Sequence, residues 1–230
     1  MLVFVYAILR SCEYDCEKCS RCLFCQSNYP RDVILLQPLN KGEYTMEQYL
    51  KDFLEGQLIT LKQMTSSDLE TFIKIESENS TLLLANDEMP FPNTFEDHAS
   101  FFQSISGKKE EFIFGIFEKT SQQLIGSCGV YAINWKNSTC FVGISIGEEW
   151  QGKGFGTDAM RTLITFIFDY IAINKIKLQV FSFNGSAIRS YEKCGFTKEG
   201  VLRHELFRFG KFHDIVLFGL LREEWSELSR

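Results

Sequence analysis

The stretch EEWQGKGFGTDAM, residues 148–160, places Gly152, Gly154 and Gly156 within five positions, between Gln151 and a segment able to start a helix. Glycine costs entropy on folding and is used where backbone bends sharply or lets something approach closely. The stretch follows an apolar alternating run and precedes a helical one. Unpaired N–H groups therefore point outward at a helix start, where the dipole is positive, and suit a phosphate or pyrophosphate. Lys153 adds a positive charge, and Phe155 and Thr157 complete the turn. The nucleotide-hydrolase loop G-x-x-x-x-G-K-[ST] is absent, and GKGFGT has its glycines at the wrong steps for the dinucleotide fingerprint G-x-G-x-x-G.

Five of the eight cysteines, Cys12, Cys16, Cys19, Cys22 and Cys25, fall in CEYDCEKCSRCLFC. The density suits thiolate ligation, but the spacing fits neither paired zinc C-x-x-C motifs nor a ferredoxin run. Its first three cysteines have the spacing of radical enzymes that use S-adenosylmethionine, for whose barrel this chain has no room. The cluster reads as a reduced leader, and no metal site is assigned. Cys128, Cys140 and Cys194 lie in apolar surroundings and read as small core residues. No ligand spacing links His204 and His213, which read as structural or surface residues, and His98 reads as surface.

The elements that must position the loop follow from periodicity. Residues 1–56 form an appendage with a helix TMEQYLKDFL ending at Gly56. Residues 57–230 form the main domain. QLITLKQM alternates as a strand, TSSDLETFIKIESEN opens with a helix start, and TFEDHASFFQSI suggests a second helix. EFIFGIFEK and QLIGSCGVYAI make a hairpin, and STCFVGISIG a fourth strand. After the loop, Met160, Leu163, Ile164, Ile167, Phe168 and Ile171 mark one buried helical stripe. KIKLQVFS is a strand. NGSAIRSYEKCG is a helix capped by Asn184 and stopped at Gly195. The remainder is two strands turning near Gly210. The order predicts a mixed α/β fold of the α+β type.

The chain has 230 residues, 45% apolar and 23% charged, with a formal net charge of −6. These numbers suit one globular domain with an appendage. The charge argues against a nucleic-acid partner and is mildly compatible with a cationic substrate. No run approaches a membrane span, and MLVFVYAIL lacks the flanks of a signal peptide. The reading is a cytoplasmic protein with no membrane partner.

Gln151, Gly154 and Gly156 fit Q-x-x-G-x-G, and N-x-x-A-I-x-x-Y-E-K-x-G-F follows from Asn184. With these motifs, residues 57–225 resemble the GNAT family of acetyl-CoA-dependent N-acetyltransferases. The likeness is to the branch with ribosomal-protein N-terminal and polyamine acetyltransferases. The resemblance implies a mostly antiparallel central sheet flanked by helices, with splayed fourth and fifth strands. It implies that backbone from Gln151 to Thr157 cradles the pyrophosphate of coenzyme A. Ile144, Ser145 and Ile146 would bond the pantetheine arm, and Asn184 would contact the cofactor. The partners implied are acetyl-CoA and an amine acceptor, with a homodimer as an open assembly.

Acetyl transfer needs a neutral amine, a donor for the oxyanion and a proton for the thiolate. Tyr191 matches the family tyrosine near the coenzyme A sulfur. Periodicity alone makes it a half-buried helix aromatic. Many relatives carry a glutamate where this chain has Phe141. Glu76, Glu78 and Glu205 stay as candidates for the base or for binding the acceptor, though each carboxylate by residue type is a solvated charge. The acceptor is a protein N-terminus, a polyamine or a small-molecule amine. A non-catalytic acyl-CoA sensor on the same scaffold is the alternative.

Overall fold

The computed structural model describes residues 53–84, 87, 89–105 and 111–228; the cysteine cluster and the leader helix lie outside the described residues. The strands are β1 (Ile59–Lys62), β2 (Phe112–Glu118), β3 (Leu124–Asn134), β4 (Thr139–Ile146), β5 (Lys175–Phe181), β6 (Thr197–Arg208) and β7 (Lys211–Leu221). They form one sheet in the order β1-β2-β3-β4-β5-β7-β6. Every neighbouring pair is antiparallel except β4 and β5. The expected mixed, mostly antiparallel architecture is therefore present.

The helices are α1 (Leu69–Glu76), α2 (Asn79–Leu84), α3 (Phe95–Ile105), α4 (Phe155–Tyr170), α5 (Gly185–Lys193) and α6 (Arg222–Leu228). The stripe predicted for α4 is buried from Met160 to Phe168 and meets β-sheet residues such as Ile116, Val130 and Ile176 in the main core. Ile171 is buried too, one residue past the helix end. Cys128, Cys140 and Cys194 lie in this core, as their apolar settings suggest. Phe53 packs edge-on against Tyr170 at 5.0 Å, and Leu54 lies against the core.

Three features depart from the sequence reading. The first helix is broken: a 3-10 turn (Ser66–Asp68) precedes α1, and Ser77 ends it before α2 begins. His98, expected at the surface, is only 6% exposed. It lies one turn before Phe102, whose ring meets Phe72 at 5.8 Å, so both occupy the inward face of α3. Finally, the chain leaves β7 into α6. There Arg222 donates to the carbonyls of Phe168, Ile171 and Ile173, tying the end of α4 to the entry of β5.

Candidate active site

The splay of the central strands makes the site. β4 and β5 pair in parallel only through Thr139–Phe141 and Lys175–Lys177. Beyond Phe141 and Lys177 the two strands part, although β4 keeps pairing with β3 and β5 with β7. The gap opens into a cleft of about 850 Å³. One wall is β4 with the loop after it, the other is β5 with α5, and Thr81 and Leu84 of α2 stand at its edge.

The loop is shaped for an anion. A 3-10 turn (Glu148–Trp150) ends at Gln151, whose side-chain amide donates to the Ile146 carbonyl at 2.8 Å and to Ser80 Oγ at 3.2 Å. Gly152 and Gly154 have φ of 73° and 93°, a region that favours glycine. Gly154 is the residue before α4, and no side chain caps that helix start. A Cβ at Gly152 would meet nothing within 4 Å, so the space above the loop is open. Gln151, Gly152, Gly154, Gly156 and Thr157 line the cleft. Lys153 and Phe155 do not: the Lys153 ammonium sits 5.4 Å from the Trp150 ring centroid, and the Phe155 ring packs on Trp150. Ile144, Ser145 and Ile146 line the cleft from β4.

Asn184 caps α5, its Oδ1 accepting the Ala187 amide at 3.2 Å, and it also lines the cleft. Two turns on, Tyr191 is 9% exposed, packs edge-on against Phe196 and lines the cleft. Burial pushes its phenol up to about 12, so it holds its proton at neutral pH. Arg189 and Lys193, unremarked in the sequence, also line the cleft from α5. They lie one helical turn apart, and that spacing was their only sequence signal.

The three candidate carboxylates separate. Glu205 is exposed at a break in the β6–β7 register and does not line the cleft. Glu78 accepts the Glu148 amide at 2.7 Å, while Glu148 accepts the Ser80 amide at 3.1 Å. That reciprocal pair braces the turn before the glycine loop. Glu76 is half-buried against β3. Burial raises it to about 7, opposed by a hydrogen bond from Ser127 and assisted by the nearby charge of Glu78.

Residues 59–197 match the family model of the acetyltransferase (GNAT) domain. The chain belongs to the GNAT family. It is 30% identical over 171 residues to an uncharacterized SPbeta prophage-derived N-acetyltransferase of Bacillus subtilis, covering 74% of this chain and 94% of that one. It is 28% identical to the spermidine N(1)-acetyltransferase of Vibrio cholerae, covering 74% of this chain and 97% of that one. A crystal structure of a Vibrio cholerae spermidine N-acetyltransferase with CoA and spermine aligns at a TM-score of 0.67 and 25% identity. It covers 74% of this chain and 98% of that chain. The GNAT chain described here is thus an N-acetyltransferase by family, with acetyl-CoA as its co-substrate. No helix among the described residues is long and apolar enough to cross a membrane.

Proposed function

We propose that this GNAT enzyme acetylates a primary amine of a small cationic acceptor, the polyamine class first. The splay between β4 and β5, beside a glycine loop free of side-chain capping, is the observation that carries the reading. Backbone N–H groups from Gln151 to Thr157 hold the pyrophosphate, as at any open helix start. Arg189 and Lys193 add charge for the remaining phosphate. The stretch of β4 from Val142 to Ile146, which β5 does not pair, holds the pantetheine arm and offers an N–H to the oxyanion. Asn184 fixes the start of α5, and with it the place of Tyr191. Acetyl-CoA supplies a thioester carbonyl that a neutral amine attacks.

Tyr191 donates a hydrogen bond to the departing sulfur. Its phenol lies near 12, while an alkyl thiol like cysteine lies near ~8.5. Complete transfer of the phenolic proton to the thiolate would be uphill by about 5 kcal/mol. The hydroxyl therefore steadies the thiolate rather than surrendering its proton.

The polyamine class is supported by the likeness to the Vibrio cholerae spermidine enzymes across nearly their whole length, by the net charge of −6 and by Asp87 at the cleft rim. Release of free CoA thiol, followed with spermidine, spermine, an aminoglycoside and an N-terminal peptide, tests it. Polyamines should give the highest kcat/KM. A peptide preference would move the acceptor class, and acetyl-CoA binding without release on any amine would end the enzyme reading.

The catalytic unit is proposed to be residues 57–230, with 1–56 as an extension, because the family match begins at residue 59. Residues 53–56 pack on the sheet edge, so a chain lacking residues 1–52 is the variant to make. It should retain acetyl transfer; a folded but inactive product would bring the leader cysteines into the mechanism.

A further inference from the structure

Phe141 stands at the last β4–β5 pair, lines the cleft and carries the Lys177 ammonium 4.3 Å from its ring centroid. It can take no proton. The one carboxylate lining the cleft among the described residues is exposed Asp87. Along one face of the β3–β4 wall, however, a row that includes two serines and a tyrosine runs from the cleft toward the half-buried Glu76 carboxyl. Ser127, Gly129 and Tyr131 alternate onto one face of β3, opposite Ser145, Gly143 and Phe141 of β4. The two glycines let the Tyr131 ring lie flat: a Cβ at Gly129 would stand 2.7 Å from the phenolic oxygen, and one at Gly143 3.3 Å from Cε2. Tyr131 and Ser145 line the cleft, and Ser145 Oγ is 3.3 Å from Thr81 Oγ1 of α2. Ser127, at the other end of the row, holds the Glu76 carboxyl.

We propose that Glu76 receives the proton that the acceptor ammonium must lose before attack, with Ser127 orienting the carboxylate and Tyr131 the polar group of the same face that reaches the cleft. This rests on the acetyltransfer reading. An N–H bond of the ammonium breaks, and the proton passes to a carboxylate oxygen. The freed lone pair forms the N–C bond as the C–S bond of the thioester breaks. A second N–H proton leaves with the thiol, and Glu76 returns its own to solvent. A base poised near the working pH is the effective one, and burial places Glu76 there.

The charges bearing on Glu76 are few. Glu78, two residues past α1, adds a like charge. From β3 comes the Tyr131 phenol, held high by burial and to a lesser degree by Cys128, Glu76 and Glu111. Helix α2 carries no titratable residue between Asn79 and Leu84, and the turn after β4 carries Glu148 and Glu149. Helix α3 carries Glu96, Asp97 and His98, with Asp97 spent on Thr94.

Two measurements decide it. In the full chain labelled with ¹³C-carboxyl glutamate, one resonance should titrate near 7 and vanish in Glu76→Gln. With spermidine and saturating acetyl-CoA, Glu76→Gln should lower kcat/KM by about 100-fold and erase the acid limb near neutrality, while acetyl-CoA affinity stays unchanged. Ser127→Ala removes the bond that lowers the group, so its limb should move to higher pH. A Glu76 carboxyl titrating in the ordinary carboxylate range, an intact limb in Glu76→Gln or an unmoved limb in Ser127→Ala would each overturn the assignment. The titration needs no acceptor: an ordinary Glu76 value overturns this assignment alone, whereas failure on every amine overturns the acetyltransfer reading on which it rests.

Discussion

Asp158 Oδ2 accepts the Leu58 amide at 2.7 Å, joining the first turn of α4 to residues 100 positions earlier. The same carboxylate takes the amides of Gln57 at 3.0 Å and Ile59 at 3.2 Å. It also leaves no room for a side chain on Gly56. The helix that presents the glycine loop is thus pinned to the entry of edge strand β1. Asp158→Ala strands those donors and should cost about 1–3 kcal/mol, read as a lower urea midpoint. An unchanged midpoint would mean water replaces the carboxylate without loss.

Glu76 also makes stability depend on pH. Its folded value of about 7 lies above the ordinary 4.5, so the folded chain binds more protons than the unfolded one between those values. Stability is therefore lost as pH rises through that window, and the loss is complete above about 7. At pH 8 it reaches at most about 3 kcal/mol. Glu76→Gln cannot ionise, so it should raise Tm at pH 8 and leave it nearly unchanged at pH 4. A variant less stable than the parent at pH 8 would show that the carboxylate is better solvated than its position against β3 implies. A more stable, slower enzyme is the pattern of a group kept for chemistry.

At Gly154, φ of 93° would strain any side chain, while the nearest atom to a Cβ is Leu58 Cδ1 at an ordinary 3.6 Å. Gly154→Ala should therefore fold, with about 1–3 kcal/mol lost to backbone strain. Acetyl-CoA affinity should fall at least about tenfold as the N–H groups of the loop turn away from the phosphates. Calorimetry beside thermal unfolding separates the two effects. Full affinity in a strained variant would place the pyrophosphate elsewhere.

The elements that speak locally were legible. The α4 stripe, the Asn184 cap and the Gly195 stop each depend on residues within a few positions, and each stands where periodicity and capping put it. The splay of β4 from β5 came only through family resemblance, because no local pattern says where a ladder ends. Glu76 reads as a solvated charge in its own helix. Its burial arises against β3, where Ser127, some fifty residues on, meets the carboxyl. His98 misled for the same reason: its exposure is set by the face α3 turns to Phe72, not by its neighbours.

Tyr191 lines the cleft, and Tyr191→Phe keeps the ring against Phe196 and removes only the hydroxyl. If that hydroxyl steadies the departing thiolate, kcat at saturating acetyl-CoA should fall. The loss should lie at or below the lower end of the roughly 10²–10⁴-fold range of general acid catalysis, because a thiolate is already a fair leaving group. Affinity for acetyl-CoA should hardly change, since the proposed phosphate and pantetheine contacts come from other residues. The pH profile distinguishes the two groups. With its phenol near 12, Tyr191 stays protonated through the working range, so the phenylalanine variant should keep the acid limb near 7 that Glu76→Gln erases. A loss of acetyl-CoA affinity with kcat intact would make Tyr191 a binding residue. A drop in Tm with both constants intact would make it a packing residue alone.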